Sequence, residues 1–160
     1  MNMSSSFVPV DSQEMPGMVK IGVVAKRLGI SIRTIHMYER ERLFLSHKNR
    51  AGTRLFNEND IEWLIEIRRM IKSSISIAGI RSLMALIPCW DVTKCQYASR
   101  NSCPSLKDNN HPCWSNKESQ CFQSADVCRA CKVYAMRFHV SDLKEVTDIR
   151  LRAEPVLQIQ

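Results

Sequence analysis

The sequence predicts a mainly α-helical chain in two unlike parts, and three observations carry that prediction. Apolar residues recur at helical spacing through the first half, one short stretch holds the whole charge excess, and every cysteine falls in the second half. A length of 160 residues fits one domain, or one small domain with a satellite. Hydrophobic residues at 44% and charged residues at 24% are ordinary for a folded chain and exclude wholesale disorder. The longest apolar stretch, Leu83 to Cys89, falls far short of the roughly 18 residues that cross a membrane. Residues 1–17 lack the basic and apolar regions of a secretory signal, and with Ser4-Ser5-Ser6, Pro9 and Pro16 they read as a disordered leader. A soluble, cytoplasmic chain without a membrane partner is the expectation.

The charge is concentrated. Between Lys20 and Arg54 nine cations face only Glu39 and Glu41, so these 35 residues account for the +7 of the entire chain. Such a block is the footprint of a polyanion binder rather than of a diffusely solvated surface. The seven cysteines are segregated the other way, all within the 43 residues that follow Pro88. In a reducing compartment such a cluster points to a metal or redox site before a disulfide framework, and an odd count argues against complete internal pairing.

The elements follow in order. Ile21, Val24, Ala25 and Leu28 have i, i+3, i+4, i+7 spacing, and Gly29 is a natural terminator. Ser31 caps a second short helix that turns Ile35 and Tyr38 inward and leaves Arg33, Thr34 and Arg40 outside. Two short helices joined by a glycine turn, the second bearing basic and polar residues outward, make the helix-turn-helix plan. In that plan the second helix enters the DNA major groove with its N-terminal residues at the base edges. Ser46 to Phe56, with turn residues from Asn49 to Gly52, predicts a cationic hairpin suited to phosphate or minor-groove contact. Asn57 and Asp60 form a capping box for a longer helix whose faces are marked by Ile61, Leu64, Ile65, Arg68 and Ile71 or Met70, with Trp63 expected partly exposed. Ser76 opens a fourth helix through Ile77, Ile80, Leu83, Met84 and Ile87, and Pro88 is expected to end it.

Residues 19 to 87 resemble the DNA-binding domain of the MerR family of transcription regulators, in particular its heat-shock-repressor-like members. Lys20-Ile21-Gly22-Val23-Val24-Ala25 is similar to the family's opening strand and first helix, and Ser31 to Arg40 to its recognition helix. Gly52-Thr53-Arg54-Leu55-Phe56 resembles the wing, Leu43-Phe44-Leu45 a Gly-Leu-Leu-like segment, and Ile77-Ala78-Gly79-Ile80 the start of the fourth helix. The resemblance implies that Arg33 and Thr34 approach the major groove, that Tyr38 touches a phosphate, and that Arg54 is the main wing contact. Lys48 and Arg50 join the candidate DNA-binding set by charge alone. Members of the family follow the fourth helix with a long dimerisation helix. Here Pro88, Cys89 and Trp90 arrive instead, so a homodimer must form on the DNA itself or through the cysteine-rich segment.

That segment contains a repeat. Pro88-Cys89-Trp90 recurs 24 residues later as Pro112-Cys113-Trp114, and the stretch from Ser99 to Asn110 between them reads as loop. The doubled signature resembles the small paired Cys-Trp modules appended to bacterial signalling and regulatory proteins. Thiolates taken four at a time suit a zinc tetrahedron or an iron–sulfur cluster. Cys128 and Cys131 have the two-residue spacer that sets two sulfurs on one metal. Cys113 and Cys121 are the expected completing ligands, Cys89 and Cys95 their competitors, and Cys103 the remaining candidate. A thiol–disulfide switch and simple burial stay open beside metal binding. Few aliphatic residues lie between Trp90 and Val127, so a staple is needed, with Trp90 and Trp114 packed over it.

The resulting expectation is a mainly α chain: a leader at 1–17, a winged helix-turn-helix domain at 18–88, a metal-stapled cysteine-rich module at 89–140 and a tail at 141–160. Its expected function is a sequence-specific regulator binding double-stranded DNA, the module serving as sensor or structural metal site. The alternatives are a metal- or redox-binding protein, or a protein-interaction adaptor, using the winged-helix fold without DNA. No nucleophile–base motif, Gly-rich phosphate loop or metal-like carboxylate pair is present, so an enzyme is not expected.

Overall fold

The computed structural model describes residues 16–95 and 100–142. Most of the expected leader and tail, and Ser99 at the start of the expected loop, therefore lie outside the described residues. The chain opens with strand β1 (Val19–Lys20), helix α1 (Ile21–Leu28) and helix α2 (Ile32–Arg40), then strands β2 (His47–Lys48) and β3 (Arg54–Phe56), followed by helices α3 (Glu58–Lys72) and α4 (Ile77–Ala85). The three short strands form one antiparallel sheet in the order β1-β3-β2, with Val19 opposite Phe56 and His47 opposite Leu55.

Local chemistry explains each boundary. Gly29 takes a left-handed conformation (φ 60°) and its N–H returns to the Ala25 and Lys26 carbonyls, closing α1. The Ser31 hydroxyl accepts the Thr34 N–H at 3.0 Å and starts α2. Asn57 and Asp60 complete the reciprocal capping box of α3, with bonds of 2.9 and 3.0 Å. Ser76 accepts the Gly79 N–H and starts α4. That helix stops at Ala85, before Pro88 is reached, and Pro88 instead precedes the next short helix.

Beyond Pro88 the described residues form a succession of short turns. Helices α5 (Cys89–Val92), α6 (Pro104–Lys107), α7 (Ala125–Arg129) and α8 (Lys132–Ala135) alternate with 3-10 turns at Arg100–Ser102, Cys113–Ser115 and Met136–Ser141. Both Pro-Cys-Trp copies open such turns, and the segment expected as plain loop contains α6.

The two parts share one core. Val24, Ile35, Leu43, Phe44, Ile61 and Ile80 of the front are continuous with Trp114, Val133, Tyr134 and Val140 of the back. The last 3-10 turn packs on α3 and α4. This packing corrects the expected exposure of Trp63, which is 0% exposed. Its ring meets Phe138 edge-on at 5.4 Å, Arg137 stacks 5.8 Å above it, and its Nε1 donates to the Leu43 carbonyl at 2.8 Å. Of the residues marking the faces of α3, Ile65 stands 51% exposed, because the helix buries a stripe centred on Ile61, Leu64 and Ile67. Among the described residues no helix is long and apolar enough to cross a membrane.

Candidate functional site

The basic stretch folds into two protruding parts held by one carboxylate. On α2, Arg33 and Arg40 are exposed and Thr34 is half-buried, its hydroxyl 2.9 Å from that of Ser31. On the hairpin, Lys48 and Arg50 are exposed, and the turn from β2 to β3 is built by Asn49, whose side chain accepts the Thr53 N–H at 2.9 Å, and by Gly52 at φ 79°. Glu39, near the end of α2, joins the two parts. It accepts from the Ser46 hydroxyl and, at 2.7 Å, from Arg54 Nε. Burial raises the Glu39 carboxyl, but those hydrogen bonds and the charges of Arg54 and Lys48 outweigh it and hold the group below the usual carboxylate range.

The expected contact residues are thus not alike. Arg33, Lys48 and Arg50 project into solvent, whereas Arg54 is partly spent on Glu39, its side chain 32% exposed. Tyr38 is 5% exposed and belongs to the core, where burial pushes its phenol pKa up against the opposing charge of Arg68. Of the other cations, Arg27 pairs with Glu58 at 2.6 Å, while Lys26 stays exposed near the C-terminal end of α1.

Behind this surface all seven cysteines line a single cavity of about 450 Å³. Cys89 begins α5 and Cys95 follows it; Cys103 precedes α6; Cys113 lies in the middle 3-10 turn; Cys121 follows it in the loop; Cys128 sits in α7 and Cys131 caps α8. None is in a disulfide. Trp90 and Trp114 form part of the wall, as the sequence leads one to expect. Burial, then the neighbouring thiols, pushes Cys89 and Cys128 each to about 11, and raises Cys113, the deepest, further still. At neutral pH these groups are therefore protonated, and a metal entering the cavity would displace their protons. The donor set is wholly sulfur. Among the described residues no carboxylate or imidazole lines the cavity, which suits soft, thiophilic metals and their clusters rather than calcium or magnesium. His111 instead pairs with Asp108 at 3.0 Å on the surface.

The cavity and the basic surface meet along residues 42–47, the link from α2 to the hairpin. Trp114 Nε1 donates to the Arg42 carbonyl at 3.0 Å, and the Leu45 N–H donates to the Tyr134 hydroxyl at 2.9 Å. Arg129, between Cys128 and Cys131, donates to the Leu45 carbonyl and forks onto both carboxylate oxygens of Asp60 at 3.0 and 2.9 Å. Burial alone would lower the Arg129 pKa, but the bonds and charge of Asp60 raise it above its ordinary value. His47 of β2 faces Asp126 of α7 at 3.4 Å. Sequence reading missed Glu39, Arg129 and Tyr134. Only Glu39 carried a signal, as an acid inside a block of cations.

Comparison with known proteins agrees with the front half. Residues 19–87 match the model of the MerR HTH family regulatory proteins. The chain is 30% identical over 66 residues to the HTH-type transcriptional regulator GlnR of Bacillus anthracis, and equally to that of Bacillus cereus, covering 41% of this chain and 51% of theirs. It is 31% identical over 62 residues to the HTH-type transcriptional regulator TnrA of Bacillus subtilis (strain 168), covering 39% and 56%. The chain thus spans about half the length of the curated relatives it matches. The cysteine-rich segment lies behind the matched region. The front of the chain, residues 19–87, is therefore similar to the helix-turn-helix domain of MerR-type regulators.

Proposed function

We propose that the chain is a sequence-specific regulator of transcription that reads double-stranded DNA with α2 and the β2–β3 hairpin. The observation that carries this reading is the clamp made by Glu39, which joins a helix bearing exposed Arg33 and Arg40 to a hairpin bearing exposed Lys48 and Arg50. The helix places Arg33 and Thr34 at base edges, and the hairpin cations position the protein on phosphates. Tyr38 supports the recognition helix from within, and Arg54 divides its charge between Glu39 and the backbone. The relatives named as transcriptional regulators support the same reading. A homodimer on two half-sites matches this mode of binding, with residues 89–140 as its contact in place of a long helix. The cysteine-rich module acts as a metal site and sensor, and its grip on residues 42–47 gives it a direct path to the hairpin.

Selection of bound duplexes from a random pool tests this reading. Arg33→Ala should cost about 1–3 kcal/mol on the selected site and relax preference at one position. Arg50→Ala should weaken selected and random DNA alike. A chain that selects no sequence, or an Arg33→Ala variant that binds like wild type, contradicts the proposal.

A further inference from the structure

Seven thiols from separate turns converge on one cavity, a gathering that burial alone does not require. A single zinc ion, with bonds of about 2.3 Å, needs four sulfurs drawn together to about 3.8 Å from one another. Among the described residues no group of three or more Cys, His, Asp or Glu side chains is placed to hold a metal ion. The thiols instead surround a space of about 450 Å³, within the roughly 300–1,000 Å³ range of sites that take a molecular ligand. The remaining wall is largely apolar, with Trp90, Leu106, Trp114, Phe122 and Val127. A cavity ringed by seven thiols matches a body several atoms across that ligates only to thiolates.

We propose that this cavity is the site of an iron–sulfur cluster, held by Cys113, Cys121, Cys128 and Cys131. Cys128 and Cys131 supply the two-residue bite from α7 and the start of α8. Cys113 enters from the middle 3-10 turn, and Cys121 from the loop that follows it. Each ligating thiol gives its proton to solvent as its sulfur bonds to iron. Cys89, Cys95 and Cys103 line the same cavity as thiols beside the cluster. The proposal deepens the metal-site half of the function given above and rests on it. It is independent of DNA binding.

The test uses the full chain, expressed and purified without oxygen, with iron, acid-labile sulfide and zinc counted per chain. A second sample is loaded with equal ferrous and ferric iron plus sulfide. The expected result is equal iron and labile sulfide, roughly two to four of each per chain, with visible charge-transfer absorption. Cys113→Ser should lose the iron and the colour, whereas Cys95→Ser should keep both. Zinc or iron bound without sulfide would overturn the cluster and leave the metal-site reading standing. Protein that takes up no metal under either condition would overturn both. Stoichiometric cluster retained in a folded Cys113→Ser chain would overturn the ligand set.

Discussion

Glu39 is a carboxylate placed where the surrounding charge is almost wholly positive, and its surroundings make use of that. It ties Ser46 and Arg54 to the recognition helix, so the hairpin position depends on its ionisation. Because its folded pKa lies below the ordinary value, its contribution is fully present above the unfolded pKa of about 4.3. That contribution drains away as pH falls through the lower folded value. Glu39→Gln should therefore cost roughly 1.5–3 kcal/mol at neutral pH, the worth of hydrogen bonds to a charged group. Denaturant unfolding of both proteins from neutral pH down into the acid range checks it. The deficit of the variant should shrink as pH falls below the ordinary carboxylate value of about 4.3 and close once it has passed the lower folded value. A deficit that persists undiminished in acid would mean that Glu39 acts through shape alone.

Among the elements, the link over residues 42–47 matters most, because both parts of the molecule hold it. Tyr134→Phe would leave the buried Leu45 N–H without its acceptor, at a cost of about 1–2 kcal/mol. Arg129→Ala would strand the Asp60 carboxylate, which is 3% exposed, at about 3 kcal/mol or more. Hydrogen exchange at the Leu45 amide should speed up in both variants, and unchanged protection would contradict the proposed path from cavity to hairpin. The front elements were legible in the sequence because their signals are local: apolar spacing in α1 and α2, Ser31, Ser76 and the Asn57–Asp60 box as caps, Gly52 in the hairpin turn. Trp63 was misread because what covers it, Phe138 and Arg137, lies far along the chain. Arg42 was opaque for a different reason. Its left-handed backbone (φ 60°) is paid by tertiary structure, as its carbonyl meets Trp114. The cavity was legible as a cysteine count, whereas its single shared space depends on how six short turns and loops pack.

For the whole molecule, the shared core means that the helical front does not stand apart from the cysteine-rich back. A chain ending after residue 88 would expose Trp63 and lose the cover of Leu43 and Leu45, so it should unfold with low cooperativity and bind hydrophobic dye. A sharp, dye-free transition in that fragment would show that the front is self-sufficient. The central claim, that the basic helix and hairpin engage DNA, has a more direct test in the salt dependence of binding by the full chain. Fluorescence anisotropy with labelled duplex DNA, between roughly 50 and 200 mM salt, measures it. With about four to six phosphate contacts per subunit, log affinity should fall linearly against log salt, by about 0.9 per neutralised phosphate. A flat salt dependence, or no binding to duplex DNA at the low-salt limit, would contradict the account.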